Sequence, residues 1–391
     1  MNAPTPANSP ACDFSEHDRL CMARALQLAA QGEGRVEPNP MVGCVITDGQ
    51  RIVAEGWHQR FGEPHAEVNA LRACRDAGVD PAGLTLIVTL EPCSHHGKTP
   101  PCADAILAAK IGRVVTAMVD PYEAVAGRGV AKLREAGVRV DVGLMQQQAQ
   151  RLNAPWLKRI RTGLPYVTLK WAQTLDGRIA TRIGHSQWIS GPAARQRVHE
   201  LRGRVDAILV GVGTVTADDP QLTARDVEVR RVARRVVVDP TLRLPIEAKL
   251  LNDAGPQVTI ATKFEPPSDA RCAKELALSE RGVEVVELPA NADGSLQLRP
   301  LLRHLSEHHQ ATNVLVEGGG VLHGHLLRQG LADRLMTFIA PKLLADADAR
   351  AAMTGGAIEQ MSDAVQLHLT TLEQVGEDIL AIYDIAAEKT V

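Results

Sequence analysis

The ordered arrangement of one histidine, one glutamate and two cysteines constrains this chain more than any other feature. His65-Ala66-Glu67 is followed by Pro92-Cys93 and then by Cys102. One imidazole and two thiolates form a three-ligand zinc site whose fourth position stays open for water. Bound zinc lowers the pKa of that water to about 7, so hydroxide is available near neutral pH. Glu67, two residues after the histidine, is placed to carry protons rather than to bind metal.

The same residues indicate a class of chemistry. H-x-E followed by P-C and a second cysteine is the signature of zinc-dependent nucleobase deaminases, in which hydroxide attacks an amino-bearing ring carbon. The usual gap between the cysteines is two residues, whereas eight separate Cys93 from Cys102 here. A closed structural zinc site, with His95 or His96 as fourth ligand, is the alternative. It gives no reason for Glu67, so we predict an open catalytic site.

Length, charge and cysteine content limit the class of protein. The 391 residues are enough for two domains with separate cores. A net charge of −3 and 3% aromatic residues argue against a nucleic-acid partner. Seven cysteines, an odd number, favour a reducing compartment with thiol or metal roles. The sequence lacks a basic signal region and any apolar run near the ~18 residues that span a bilayer, so we expect a cytoplasmic protein with no membrane partner.

Local patterns place the zinc ligands on an α/β framework. Residues 41–55 read as a strand hairpin, and a helix is predicted to begin at His65. An apolar strand over 84–90 leads to Cys93, and Cys102 begins the next helix, where the helix dipole favours a thiolate. We therefore expect an α/β sandwich with the metal at the carboxyl ends of its strands.

A short basic segment follows the first half. Residues 149–163 hold four basic side chains around Pro155. We interpret the segment as a solvated helix and linker, and the run is too short to favour nucleic-acid contact. The predicted organisation is a disordered tail at 1–14, a zinc deaminase domain at 15–148, this linker at 149–163, and a second domain at 164–391.

Strands and helices alternate in the second half, which predicts a mostly parallel sheet with helices on its faces. Strand-like stretches at 335–340 and 379–385 are expected to add edge strands. Glycine-rich turns at 211–214 (GVGT) and 317–320 (EGGG) follow predicted strands. Such turns let backbone N–H groups approach phosphates at a helix N-terminus, so we predict a bound dinucleotide.

A second anion site is predicted near the first glycine turn. Arg225 follows the polar sequence Asp218-Asp219-Pro220, and Arg202 lies on the preceding helix. Guanidinium groups bind phosphate in a bidentate manner, so these two arginines could clamp a phosphomonoester.

Longer stretches around all these residues resemble the bifunctional deaminase and reductase family of riboflavin biosynthesis. The resemblance covers nearly all of residues 15–391. One departure is Asp120-Pro121-Tyr122-Glu123, where the family often has Asp-Pro-Asn-Pro, so we do not expect a substrate contact at Tyr122. The similar stretches are 38–43 (PNPMVG), 65–70 (HAEVNA), 91–102 (EPCSHHGKTPPC), 175–178 (LDGR), 186–189 (SQWI), 211–215 (GVGTV), 217–220 (ADDP), 317–319 (EGG) and 340–344 (APKLL).

For the first half, the resemblance implies a cytidine-deaminase-like three-layer α/β domain. It implies zinc (Zn²⁺) on His65, Cys93 and Cys102, with Glu67 as the catalytic proton shuttle. The implied deaminase substrate contacts are Asn39, His95, Lys98 and Thr99.

For the second half, the resemblance implies a dihydrofolate-reductase-like domain with NADPH as cofactor, although the residues alone do not distinguish NADPH from NADH. The implied cofactor contacts are Ala172, Trp188, Thr214, Asp218, Gly319, Gly320, Val321, Leu322, His323, Gly324 and His325. The implied contacts of the ribosyl phosphate substrate are Lys170, Ser186, Arg202, Leu222, Arg225 and Glu317.

The implied activity has two steps. Hydrolytic deamination of 2,5-diamino-6-ribosylamino-4(3H)-pyrimidinone 5′-phosphate precedes reduction of the ribosyl side chain to give 5-amino-6-ribitylamino-uracil 5′-phosphate. The expected partners are these small molecules, and the family favours homo-oligomers. An alternative is a nucleic-acid or nucleoside zinc deaminase with a non-catalytic C-terminal binding domain, against which the few aromatic residues argue. A third hypothesis makes the C-terminal half a catalytically inactive partner.

Overall fold

The computed structural model describes residues 13–94, 100–122, 126–252, 257–356 and 358–386. The chain forms two compact units, Met1–Thr162 and Gly163–Val391. Among the helices of the described segments, none has both the length and the apolar character that a bilayer span requires.

The first unit is built on a five-stranded sheet with strand order β2-β1-β3-β4-β5. Strand β1 lies between β2 and β3 and runs antiparallel to both, whereas β3, β4 and β5 are parallel to one another. Its strands are β1 Gly43–Thr47, β2 Ile52–Trp57, β3 Thr85–Val88, β4 Arg113–Thr116 and β5 Arg139–Val142. Its helices are α1 Glu16–Ala30, α2 Ala66–Asp76, α3 Cys102–Ala108, α4 Arg128–Glu135, α5 Gln146–Leu152 and α6 Ala154–Thr162.

Alternating strand residues bury both faces of this sheet under helices. Cys44 and Ile46 of β1 join the core cluster that includes residues of α2, α3 and α4. Val45, on the opposite face, joins the cluster that includes residues of α1, α5 and α6. The unit is therefore a three-layer α/β sandwich, as predicted, because successive strand side chains point to opposite faces.

The segment 149–163 differs from the solvated linker that its basic composition suggested. It forms most of α5 and all of α6, and Trp156 and Leu157 are buried in the core of the first unit. Arg151 and Arg161 are exposed. The segment is thus amphipathic, and its apolar face packs on the sheet while part of its charge stays in water.

The second unit is built on a nine-stranded sheet with strand order β11-β10-β9-β8-β12-β6-β13-β16-β15, and β14 pairs with β7 separately. Its strands are β6 Tyr166–Thr174, β7 Arg178–Ala180, β8 Ala207–Gly211, β9 Arg234–Val238, β10 Val258–Lys263, β11 Glu284–Leu288, β12 Asn313–Val316, β13 Arg334–Ala340, β14 Arg350–Ala351, β15 Leu367–Val375 and β16 Asp378–Ile385. Its helices are α7 Pro192–Arg202, α8 Val212–Asp218, α9 Lys249–Asn252, α10 Asp269–Glu280, α11 Leu298–His308 and α12 Gly320–Arg328, with a 3₁₀ turn at Met361–Asp363.

The strands from β11 to β13 in this order are all parallel, as the strand–helix alternation predicted. The position of the last strands was predicted wrongly. β13 lies between β6 and β16, and β16 lies between β13 and β15, so neither is an edge strand. The edge strand on this side of the sheet is β15. Its side chains are mostly exposed, so it lacks the alternation of apolar and polar residues that marks a half-buried strand.

Candidate active sites

The three residues expected to bind zinc lie together in the first unit. His65 is the N-cap residue of α2, and Cys102 is the first residue of α3. The His65 Nδ1 atom is 3.3 Å from the Cys102 Sγ atom and 3.6 Å from the Cys93 Sγ atom. All three ligand atoms lie within 4.8 Å of one another. One nitrogen and two sulfur donors at this separation fit a tetrahedral zinc ion with one open position.

The thiols of this cluster share their charge unequally. A hydrogen bond from Cys102 lowers the pKa of Cys93, and a further hydrogen bond from His65 acts in the same direction. The same contact with Cys93, together with burial, raises the pKa of Cys102. The backbone N–H of Cys102 also donates to the Cys93 Sγ atom at 3.3 Å. These contacts favour the thiolate form of Cys93, and a bound dication would favour the thiolate form of both cysteines.

Glu67 lies in the first turn of α2 and is almost fully buried beside this cluster. Burial raises the pKa of its carboxyl group to about 7, and the negative charge of Cys93 adds to the shift. A group whose pKa is close to the working pH can both accept and donate a proton, which is what a proton shuttle requires.

The cluster opens into a cavity of about 400 Å³. Glu67 and Cys93 contribute to its wall, as does Asn39, one of the expected substrate contacts. Asn39 contacts the His58 Nε2 atom at 3.4 Å, while His58 Nδ1 is 3.3 Å from the carbonyl oxygen of Pro64. The other expected substrate contacts, His95, Lys98 and Thr99, lie outside the described residues.

Tyr122 also lines this cavity, although its departure from the family pattern led us to expect no substrate contact there. The chain around it is held by Glu91, whose buried carboxylate accepts hydrogen bonds from the backbone N–H groups of Asp120, Gly127, Gly129 and Val130 at 2.8–3.1 Å. A side chain at position 129 would collide with the Pro92 carbonyl oxygen, at 1.9 Å from a Cβ atom. The glutamate of E-P-C therefore anchors one wall of the site.

Sequence reasoning missed the contribution of the α5–α6 junction. The Asn153 side chain accepts from the Met41 backbone N–H at 2.8 Å and donates to the Met41 carbonyl oxygen at 2.9 Å. These bonds fix the turn that contains Asn39, and Trp156 of α6 lines the cavity. The only signal in the sequence was an asparagine between two amphipathic helices, which the basic composition obscured.

Replacing Asn153 with alanine is expected to lower the deaminase kcat/KM about tenfold and the free energy of unfolding of the first unit by ~2–3 kcal/mol. Two hydrogen bonds are lost, each worth about 1 kcal/mol, and the Met41 N–H is left unpaired. Ammonia release and denaturant unfolding measure the two effects. Asn252→Ala, which removes an exposed side-chain bond to the Glu247 carbonyl oxygen in the other unit, is the control. Unchanged deamination in folded Asn153→Ala protein would contradict a positioning role.

In the second unit, the two glycine-rich turns meet at one edge of the sheet. They follow the neighbouring parallel strands β8 and β12, and Gly211 and Gly319 are the N-cap residues of α8 and α12. A Cβ atom at Gly211, Gly213 or Gly319 would have no described heavy atom within 4 Å. Protein packing therefore does not require glycine at these positions, and the open backbone fits the close approach of a dinucleotide's phosphates.

The rest of the glycine-rich helix serves the protein interior. A Cβ atom at Gly320 would lie 2.7 Å from the Ala351 carbonyl oxygen, and one at Gly324 would lie 1.9 Å from that of Thr354. Leu322 belongs to the main core cluster. His323 is fully buried, with Nδ1 3.3 Å from the Ala352 carbonyl oxygen. This face of α12 therefore packs inward, and the side chains of Leu322 and His323 belong to the protein interior.

The other expected cofactor residues lie on β6, α8 and α12, and Trp188 lies in a turn between β7 and α7. Ala172 lies on β6 and packs beside a small core cluster. Thr214 and Asp218 lie on α8, and the Ser186 hydroxyl donates to Asp218 at 3.3 Å. Trp188 is exposed, and the Arg195 guanidinium lies 4.5 Å from its ring centroid. Val321, at the start of α12, is also exposed, while His325 is partly buried on the same helix.

A buried charge cluster lies at the end of β12, next to the glycine turn. The Arg202 guanidinium donates to both oxygens of Glu317, at 2.7 and 2.8 Å, and Lys170 Nζ is 3.8 Å from Glu317. Burial works against ionisation of Glu317, but the positive charges of Arg202 and Lys170 outweigh it and lower the pKa of Glu317 to about 2. Burial lowers the pKa of Lys170. The family resemblance implies that all three contact the substrate, and in the structure they contact one another.

The two arginines of the predicted phosphate clamp have different surroundings. The Arg202 guanidinium also donates a hydrogen bond to the Thr223 carbonyl oxygen at 3.2 Å, so it is hydrogen-bonded to three protein oxygens. Arg225 is exposed and contacts Gln221 and Thr223 at 2.9 and 3.2 Å. Leu222 is buried in the core, and its backbone has a φ of +54°.

Two family models match the chain. The cytidine and deoxycytidylate deaminase zinc-binding region matches residues 15–118, and the RibD C-terminal domain matches residues 165–381. The riboflavin biosynthesis protein RibD of Escherichia coli K12 is 45% identical over 365 residues, which cover 93% of this chain and 98% of that protein. RibD of Aquifex aeolicus is 40% identical over 368 residues, covering 94% of this chain and 98% of that protein.

Solved structures agree over the same length. Acinetobacter baumannii RibD, form 1, is 37% identical with a TM-score of 0.82 and covers 95% of this chain and 99% of that one. A Thermotoga maritima diaminohydroxyphosphoribosylaminopyrimidine deaminase/5-amino-6-(5-phosphoribosylamino)uracil reductase is 35% identical with a TM-score of 0.81, covering 94% and 99%. The similarity thus spans both units rather than the zinc region alone.

Proposed function

This chain belongs to the RibD family of riboflavin biosynthesis proteins, bifunctional deaminases and reductases, and we propose how its two units divide the two reactions. Family membership over both units removes the alternative of a nucleic-acid deaminase with a C-terminal binding module. The first unit deaminates 2,5-diamino-6-ribosylamino-4(3H)-pyrimidinone 5′-phosphate. The second reduces the ribosyl side chain of the deaminated product with NADPH.

In the deaminase unit, His65, Cys93 and Cys102 hold zinc, which when bound supplies an activated water with a pKa of about 7. Glu67 takes a proton from the attacking water and delivers it to the departing amino group, which leaves as ammonia. Asn39 binds the pyrimidine at the cavity wall. The observation that supports this assignment is the buried Glu67 carboxyl beside the three-ligand cluster, in the wall of one cavity.

In the reductase unit, the open glycines at the ends of β8 and β12 receive the phosphates of NADPH, which when bound supplies a hydride to C1 of the open-chain sugar. Lys170 lies close to the reacting sugar, and Glu317 holds Lys170 and Arg202 in place. Arg225, exposed beside this cluster, binds the substrate phosphate.

A coupled assay tests both halves of this proposal. Ammonia release and loss of NADPH absorbance are followed on the ribosylaminopyrimidine phosphate, with NADH in parallel and with metal analysis of the same sample. We expect zinc-dependent ammonia release, followed by oxidation of NADPH in preference to NADH. Ammonia release without cofactor oxidation would support the hypothesis of a catalytically inactive second unit.

The domain boundary follows from the packing of α5 and α6. Because Asn153 and Trp156 contribute to the deaminase cavity, we place the end of the deaminase domain near Thr162 rather than at residue 148. A homo-oligomer, which the family favours, is part of the proposal, and light scattering on the purified chain measures it.

Replacing Arg225 with alanine is expected to weaken binding of the reductase substrate by roughly 2–4 kcal/mol, because a charge-assisted contact with its phosphate is lost. The KM for deaminated substrate measures this change, and the affinity for NADPH should stay the same. Arg243→Ala, another exposed arginine of this unit, is the control. If NADPH binding collapses while substrate binding survives, the two ligand positions have been assigned in reverse.

A further inference from the structure

A second cluster of metal-ligand side chains lies in the reductase unit, away from the glycine turns. Glu284 is the first residue of β11, His304 lies on α11, and His309 is the C-cap residue of α11. The His304 Nε2 atom is 2.9 Å from Glu284 Oε1, and the His309 Nε2 atom is 3.0 Å from Glu284 Oε2. Apart from the zinc cluster, this is the one group within the described segments whose ligand atoms all lie within 4.8 Å of one another.

The spacing of these atoms suits a small divalent ion. Donor atoms at ~2.0–2.2 Å from one zinc ion lie roughly 3–3.6 Å apart. The His304 Nε2 atom is 2.9 Å from Oε1 and the His309 Nε2 atom is 3.0 Å from Oε2, and all three ligand atoms lie within 4.8 Å of one another, so side-chain rotations would bring them around one ion. All three side chains are two-thirds or more buried, which limits the rotamer freedom that binding would remove.

Neighbouring residues orient the carboxylate. The Thr259 hydroxyl donates to Glu284 Oε2 at 2.7 Å, and Arg234 Nη1 lies 3.3 Å from the same oxygen. Among these contacts, those of Thr259, Arg234 and His309 are with Oε2 and that of His304 is with Oε1, so Oε1 is the less engaged oxygen and the one we assign to the ion. Hydrogen bonds to the second oxygen of a ligating carboxylate are the usual outer contacts of a metal site. The positive charge of Arg234 opposes an ion there and moderates its affinity.

The end of α11 favours positive charge at the same place. Helix C-termini carry partial negative charge on their last carbonyl groups. His309 is positioned directly at that end, and β11 is an edge strand of the parallel part of the sheet. An ion between them would join the helix to the edge strand.

We propose that Glu284, His304 and His309 form a second metal site, which binds a divalent first-row transition ion such as Zn²⁺. Two imidazoles and one carboxylate, without a thiolate, are a ligand set typical of such ions. The site lies at the amino end of β11, whereas the glycine turns follow the carboxyl ends of β8 and β12. Because these strands are parallel, the two sites lie at opposite ends of the strands. The ion therefore stabilises the reductase unit and takes no part in hydride transfer.

Metal content and cobalt spectra of the full-length protein test this site. After equilibration with Zn²⁺ and removal of free ion, we expect two zinc ions per chain in the natural sequence and one in the His304→Ala/His309→Ala variant. With Co²⁺, the thiolate-to-metal charge-transfer band of the Cys93 and Cys102 site should be unchanged in that variant, and only the weaker ligand-field absorption of the second ion should be lost. Ammonia release should be unaffected.

The control is His308→Ala, whose ring lies 4.6 Å from that of His304 but which is outside the ligand set. It should keep two ions per chain. Glu284→Gln offers a milder variant, because it keeps the side-chain shape and weakens only the ligand. It should lose the second ion while reductase activity reports that the unit is folded.

Thermal unfolding provides the second readout. An ion that binds only the folded unit raises its Tm with ion concentration. We expect Zn²⁺ to raise the Tm of the reductase unit in the natural sequence and in His308→Ala, but not in the double variant. Either of two results would overturn the proposal. One is a single ion per chain in the natural sequence at saturating Zn²⁺. The other is two ions per chain in both Glu284→Gln and His304→Ala/His309→Ala when these variants are folded.

Discussion

Replacing Cys93 with serine is expected to remove zinc from the deaminase site and to reduce ammonia release by more than about 10³-fold, because the pKa of water rises from about 7 on zinc to 15.7 in its absence. Serine keeps the size of the side chain, but its hydroxyl stays protonated and is a poor ligand for a soft thiolate site. Cys93 is also the sulfur that hydrogen bonds from Cys102 and His65 already favour as a thiolate. The thiolate-to-cobalt band and ammonia release measure the two losses in one preparation.

Cys272→Ser is the matched control, because Cys272 is an exposed cysteine of the other unit. It should keep the cobalt band and the rate of deamination. NADPH-dependent reduction of already deaminated substrate should be normal in both variants. A Cys93→Ser protein that retains the band and releases ammonia at the usual rate would exclude Cys93 from the metal site.

The metal cluster could be predicted from the sequence because its information is local. His65 and Glu67 lie within one helical turn, and Cys102 begins α3 where the proline pair that precedes it ends the loop. These local patterns place the residues at the starts of helices, and no knowledge of tertiary contacts is needed for that prediction. The chemistry of the donors then limits the ion.

The walls of the same site could not be predicted in this way. The contact between Asn153 and Met41 joins residues 112 positions apart, and nothing in the local pattern of either identifies the other. The basic side chains of 149–163 led to the prediction of a solvated linker, whereas the burial of Trp156 attaches this segment to the core of the first unit. Burying one large aromatic side chain outweighs the small cost of exposed charges on the opposite face.

In the second unit, the parallel strands and the glycine turns could be predicted from the sequence, but the contacts of individual side chains could not. A motif such as EGGG shows that backbone is exposed near a strand end, yet it does not show which helix face packs inward. Leu322 and His323 therefore turned out to be interior residues, and Arg202 turned out to pair with Glu317. Charge pairing across 115 residues depends on tertiary structure, and residue type alone could not assign Arg202 to a ligand or to a carboxylate.

Replacing Glu67 with glutamine is expected to leave zinc in place and to lower deamination by ~10²-fold or more, since positioned proton transfer contributes about 10²–10⁴-fold to a rate. Glutamine keeps the shape of the side chain and one oxygen for hydrogen bonding, but it cannot accept a proton from water. Glu67 lies beside the three ligands rather than among them, so metal binding and proton transfer should separate in this variant. Cobalt spectra and single-turnover ammonia release distinguish the two.

Asp76→Asn, at the exposed end of the same helix, removes a carboxylate without approaching the cavity and should leave both measurements unchanged. The reductase rate on deaminated substrate should also be normal in Glu67→Gln, because Lys170, Arg202 and Glu317 all belong to the other unit. Near-normal deamination with zinc retained would mean that another group moves the proton. A reductase rate that falls in parallel with deamination would instead place part of the reductase site, or a surface it requires, within the first 162 residues. The comparison of Glu67→Gln with Cys93→Ser therefore separates loss of the activated water from loss of the group that moves its proton.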